Sequence, residues 1–96
     1  IIPKKHTGDI FELSKDEASK VFVIASDIGK ALKEELKCDG LNVLQNNGEA
    51  AGQTVFHFHM HLIPRFKNDN VKIAWPSTEY KEGEMEQLAE AIRNRI

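Results

Sequence analysis

A single cysteine, Cys38, stands among the 96 residues, so no disulfide can close within the chain and the reducing cytoplasm is the expected compartment. Basic residues are not in excess: 13 Lys and Arg against 15 Asp and Glu leave a formal charge of -2, too little positive field to track a nucleic-acid backbone. No apolar run approaches the roughly 20 residues that cross a bilayer, and no signal peptide is recognisable, so no membrane partner is expected. Repeats, low-complexity tracts and linkers are missing as well. With 41% hydrophobic and 29% charged residues, the composition is that of one folded domain over residues 1–96, large enough for a single core.

What is present is concentrated in one stretch. His57-Phe58-His59-Met60-His61-Leu62-Ile63 places three of the four histidines at every second position. A period of two is that of a β-strand, whose successive side chains point to opposite faces. His57, His59 and His61 therefore share one face, while Phe56, Phe58, Met60 and Leu62 share the other and are expected to be buried.

Around this strand the chain reads as an α+β fold. Ile1–His6 suits the end of a strand leaving a sheet at Pro3. Ser14 and Glu17 form an S-x-x-E capping box, and Ala18, Val21, Phe22, Ala25, Ile28, Leu32 and Leu36 follow at helical spacing. The spacing predicts a helix over about 15–37, roughly 34 Å long, stopped by Gly40. Val23 and Ile24 lie off its main apolar stripe and offer a second surface for a partner subunit. Gly29, in mid-helix, points to close packing, for which another helix is one candidate partner. A strand is expected over Leu41–Asn46, antiparallel to the histidine strand, with a Gly- and Asn-rich loop over 46–53 opening beside the imidazoles. Pro64 is expected to end the histidine strand, and a second amphipathic helix starts near Glu82 with Met85, Leu88, Ala89, Ile92 and Ile96 on one stripe.

Three readings compete for the histidine face. Surface histidines on a half-exposed strand would suit one imidazole better than three in five residues. A metal site is open to a His-x-His pair, but on an unbent strand the outer pair lies roughly 13 Å apart, so ligands such as His6 would have to come from elsewhere. Nucleophilic catalysis by one imidazole, oriented by its neighbours, is favoured by the loop, where Gly48, Gly52, Asn46, Gln53 and Thr54 offer uncharged donors suited to a phosphate.

The H-φ-H-φ-H-φ-φ pattern, with Asn46-Asn47-Gly48 and Gly52-Gln53-Thr54 before it and Ile2-Pro3-Lys4-Lys5-His6 upstream, resembles the histidine triad (HIT) superfamily, specifically the bacterial members of its Hint branch. The likeness runs along the whole chain. It implies an antiparallel sheet with one long helix packed on it and a C-terminal helix. It implies a hydrolase of purine nucleoside phosphoramidates or related nucleotides, working through a nucleotidyl-histidine, with His59 as nucleophile and His57 and His61 orienting it and contacting the phosphate. Asn46, Gln53 and Thr54 match the phosphate and leaving-group contacts, with Thr54 replacing the serine of many relatives and expected to lie in the loop. No cofactor is implied for the chemistry. Many bacterial relatives carry an upstream C-x-x-C that binds structural zinc with histidines matching His6 and His57; this chain has the two histidines without those cysteines.

The chain opens on Ile1-Ile2-Pro3 with no methionine and matches the family only from there. The strands that build the purine and ribose pocket are accordingly expected upstream of Ile1, and base-indifferent, weak nucleotide affinity is expected of these residues alone. A homodimer with the long helix near its mate is expected from the spare apolar surface and from the family. The competing functional readings are a nucleotide-binding regulatory or scaffold protein of the same fold and a zinc-dependent hydrolase; turnover of an adenosine phosphoramidate separates the first, loss of turnover on chelation the second.

Overall fold

The computed structural model describes all residues, 1–96. Its first regular element is helix α1, Lys15–Leu36. The capping box forms in full: Ser14 Oγ accepts from the Glu17 backbone N–H at 3.1 Å, and the Glu17 carboxylate accepts from the Ser14 N–H at 3.1 Å. The stop differs from the expected one. Lys37 takes the left-handed conformation (φ 53°) that ends the helix, and Gly40 instead opens the first strand. A lysine there costs roughly 1–2 kcal/mol against a helical conformation, a penalty the tertiary packing of the following strand overrides.

Strand β1, Gly40–Leu44, pairs antiparallel with β2, His61–Arg65, in the register Leu44 opposite His61 and Leu41 opposite Pro64. Both boundaries depart from the sequence expectation. β1 stops at Leu44, not Asn46, and Pro64 lies within β2, where a proline is tolerated because each strand of a two-stranded sheet has a free edge. The histidine stretch is therefore divided between two neighbours. His61 pairs with β1, while Met60 exchanges backbone hydrogen bonds with Ile1 (2.7 and 2.9 Å) and the Phe58 N–H donates to the Thr7 carbonyl at 2.6 Å.

Alternation holds where it matters. Phe58 and Met60 are 1% and 4% exposed and pack with Val21 and Ala25 of α1 into the core, flanked by Ile1, Leu13 and Leu62. Phe56 does not join them. It lies before the bonded segment begins and is 61% exposed, so the apolar face starts at Phe58. Gly29 does mark a close approach, but to the strand layer of its own chain and not to another helix. A Cβ there would stand 3.0 Å from Leu41 Cδ2.

After β2 the chain leaves the sheet under control. Arg65 grips Asp69 with Nε to Oδ2 at 2.8 Å and Nη2 to Oδ1 at 3.0 Å, reaches Asn42 Oδ1 at 2.7 Å, and also donates to the Val71 carbonyl. Asp69 in turn accepts the N–H groups of Phe66 and Val71, each at 3.0 Å. Its carboxyl is held well below the usual carboxylate range, by the Arg65 hydrogen bond first and by these two N–H groups next. Beyond the clamp, the Val71–Trp75 stretch is without regular structure, and helix α2, Glu84–Arg93, buries no residue and packs on no other element. The radius of gyration, 16.6 Å, exceeds the about 12–13 Å of a compact chain of this length, because this arm extends from the body.

Candidate active site

Burying Phe58 and Met60 turns the odd-numbered side chains outward, and this alone assembles the site. His57, His59 and His61 line one open cleft of about 610 Å³, together with Ile1, Ile2, Val55 and the edge of Met60. His57 and His59 are half-buried and His61 is exposed. The rings of His59 and His61 meet edge to face, centroids 5.0 Å apart at 83°.

Hydrogen bonds decide which nitrogen of His59 can react. Its Nδ1 lies 2.7 Å from the His57 carbonyl oxygen. A carbonyl only accepts, so Nδ1 carries the proton, and in the neutral ring Nε2 is left with a free lone pair. A bare imidazole nitrogen on an open cleft, flanked by two more imidazoles, is equipped for nucleophilic attack on an electrophile such as phosphorus.

The loop between β1 and the histidine stretch is braced from within. Gln53, 2% exposed, accepts from the Gly48 N–H at 2.7 Å and donates to the carbonyls of Gly8 (2.8 Å) and Val55 (3.1 Å). Asn47 accepts from the Ile10 N–H at 2.7 Å and exchanges bonds with the Gln45 amide. The Gln53 amide thus serves three backbone partners and shapes the loop. Thr54 lies in the loop, exposed, and Asn46 is half-buried, with Nδ2 3.5 Å from where a Cβ on Gly52 would sit. At φ +90° Gly52 takes a conformation that side-chain-bearing residues rarely adopt. None of Asn46, Gln53 and Thr54 lines the histidine cleft; of the loop's end only Val55 does.

The sequence reading missed Ile1, Ile2 and Val55 as cleft walls and the Pro3 carbonyl as an anchor, which accepts from His57 Nε2 at 3.2 Å. Backbone carbonyls carry no sequence signal. His6 and His57, the residues matched to a structural zinc, do come together: their Nδ1 atoms are 2.9 Å apart and their ring centroids 4.8 Å. Two nitrogens do not make a tetrahedral site, and no group of three His, Cys, Asp or Glu side chains converges anywhere in the chain. The residues present do not by themselves fit a zinc ion.

The profile of the HIT domain family matches residues 1–68. Among curated proteins, "Protein hit" of Bacillus subtilis is 37% identical, with the match covering 100% of this chain and 68% of that protein. "Adenosine 5'-monophosphoramidase hnt1" of Schizosaccharomyces pombe is 34% identical, over 100% of this chain and 70% of its own length. Among solved structures, a HIT family protein from Bacillus anthracis superposes with a TM-score of 0.90 at 46% identity, covering 99% of this chain and 70% of that one.

Proposed function

The chain belongs to the HIT domain family, and on that footing we propose that it is a nucleotide hydrolase acting on purine nucleoside phosphoramidates or related nucleotidyl substrates. The observation that carries this reading is the 2.7 Å bond from His59 Nδ1 to the His57 carbonyl, which leaves His59 Nε2 unprotonated at the cleft. Nε2 attacks the α-phosphorus; the bond from phosphorus to the leaving nitrogen breaks, and the departing amine takes up a proton. Water then attacks the nucleotidyl-imidazole: the new P–O bond forms as the P–Nε2 bond breaks, the proton the water gives up passes to solvent and replaces the one the amine drew from it, and His59 returns to its free state. His57 orients the nucleophile through its carbonyl, its own ring nitrogens meeting Pro3 and His6, His61 contacts the phosphate, Asn46 and Thr54 supply uncharged contacts, and Gln53 acts through the shape of the loop. No metal takes part in these steps. The phosphoramidase name of the fission-yeast relative supports the substrate class.

The active particle in this reading is a homodimer. Val23 and Ile24 on α1 are 62% and 45% exposed, and on another face of the helix Phe22, 62% exposed, borders a groove of about 410 Å³ that reaches Gly29, Cys38 and, in β1, Leu41 and Val43. No helix of the chain is long and apolar enough to cross a membrane, and the lone free thiol of Cys38 supports the cytoplasm as the compartment.

The test is turnover of an adenosine phosphoramidate, with acid quench and mass measurement to trap the nucleotidyl adduct on His59. Release of AMP together with the adduct is expected. Tight binding without AMP release would replace the hydrolase by a nucleotide-binding regulator of the same fold.

A further inference from the structure

The histidine cleft has room for one phosphate and no cation for a second. Its walls are imidazoles and apolar side chains, and no Lys or Arg is among them. Beyond Ile2, which is a wall of both, lies another concavity of about 460 Å³, and there the chemistry changes. Lys4 and Lys5 enter it from the segment after Pro3, and Lys20 enters it from α1. Two carboxylates stand beside these three ammonium groups, and neither cancels them. Glu17 Oε2 is turned to Ser14, accepting from its N–H at 3.1 Å and from its hydroxyl at 3.0 Å. Asp16 meets Lys20 at 2.8 Å, but the two side chains are 75% and 70% exposed, and a pair so exposed to water is weak and exchanges readily for a better anion. Lys4 and Lys5 pair with no carboxylate. The concavity is thus positive in a chain whose formal charge is -2.

We propose that the two concavities form one track for a nucleotide that carries a phosphate chain: its α-phosphate faces His59, and the phosphates beyond it pass over Ile2 to Lys4, Lys5 and Lys20. Each of those phosphates is an anion rich in acceptor oxygens, and each ammonium group is a compact cation with three donors, so the match is one of charge and not of shape. The lysines therefore select by the number of phosphates and are indifferent to the base. A nucleoside monophosphate does not reach them. The placement of the α-phosphate rests on the nucleotide reading of the cleft; the affinity of the lysines for a phosphate chain does not.

The experiment is calorimetric titration of the 96-residue chain, free of divalent cations, with adenosine mono-, di- and triphosphate and with inorganic tripolyphosphate. It compares the parent with the triple variant Lys4→Gln, Lys5→Gln, Lys20→Gln. All three lysines are exposed, so the helix content read by circular dichroism should not change. In the parent, affinity is expected to rise about tenfold or more from mono- to triphosphate, the sum of a few exposed ion pairs, and to fall as salt is added. In the triple variant the rise should vanish while the monophosphate binds within about twofold of the parent. Turnover of an adenosine phosphoramidate, which has no phosphate beyond the α position, should be the same in both. Equal affinity for mono- and triphosphate in the parent would overturn the proposal, as would a rise that survives the substitutions. A triple variant that loses phosphoramidate turnover would overturn it too, by placing the lysines in the chemistry. Tripolyphosphate keeps the two readings apart. If it binds through the lysines and no nucleotide binds at all, the nucleotide reading of the cleft fails and the track fails with it. A parent that binds the monophosphate, but binds neither tripolyphosphate nor the triphosphate any better, overturns the lysine site alone.

Discussion

His61 presents its ring edge to His59, centroids 5.0 Å apart at 83°, on the same cleft wall, and the two residues differ in what they can do. Only His59 has a bonded Nδ1 and a free Nε2. Replacing His59 by Ala is expected to lower kcat by about 10³-fold or more, whereas His57→Ala and His61→Ala each cost about 10- to 100-fold, the lower range for groups that orient or stabilise. Steady-state assays with an adenosine phosphoramidate check the order; a His59 variant as active as His61→Ala would disprove the assignment.

Metal removal is expected to leave the reaction alone. The proposed steps use an imidazole nitrogen and water and call on no metal cation. Dialysis against a strong chelator should preserve kcat within about twofold, a change too small to represent the loss of a metal-activated group. Loss of turnover restored by zinc would refute this.

Gln53→Ala is expected to be costly for its size. It strips partners from the Gly48 N–H and from the carbonyls of Gly8 and Val55 around a side chain that is 2% exposed. Leaving one buried group unsatisfied costs about 1–3 kcal/mol, so a loss of about 2–3 kcal/mol is expected from denaturant unfolding. Because Asn47 still ties the loop to Ile10, the rise in KM should exceed the fall in kcat.

Acid should unlock the departure of the C-terminal arm. Asp69 has its folded pKa depressed, chiefly by Arg65, so its contribution to stability is whole above the unfolded value of about 3.9 and is lost as pH falls from there through the folded value. Stability should be insensitive to this group near neutrality. Asp69→Asn should flatten the acid limb of a stability profile between about pH 4 and pH 2 relative to the parent chain; parallel limbs would count against the clamp.

A homodimer predicts a particle of twice the 10.9 kDa chain mass in sedimentation at micromolar concentration. Phe22→Glu, placed where α1 is 62% exposed and faces the groove toward β1, should raise the dissociation constant more than about tenfold with helix content unchanged, since a buried unpaired carboxylate costs several kcal/mol. A parent chain that sediments only as a monomer would exclude the interface.

Much of the fold was legible because it is encoded locally. Ser14 and Glu17 announce the start of α1 by forming both bonds of the capping box, and the apolar spacing that follows yields a helix one residue shorter than expected. The face shared by His57, His59 and His61 follows from the period of a strand, and the cleft they line agrees. Legibility ended where partners distant in the chain intervene. Lys37 rather than Gly40 closes α1, Pro64 stays inside β2, and Phe56 falls outside the core, each because the pairing of β1 with β2 or of Ile1 with Met60 outweighs local preference.

By itself, then, the sequence determined which residues share a face and where the long helix begins, since side-chain period and capping depend on neighbours a few positions away. Only the tertiary structure decided which nitrogen of His59 is free, that Gln53 braces the loop, and that His6 meets His57. The contacts of Gln53 with Gly8, His6 with His57 and His57 with Pro3 span 45 to 54 positions of chain, and the bond that fixes His59, only two positions long, is to a carbonyl. Every residue carries a carbonyl, so nothing in the order of side chains tells which one a ring will find.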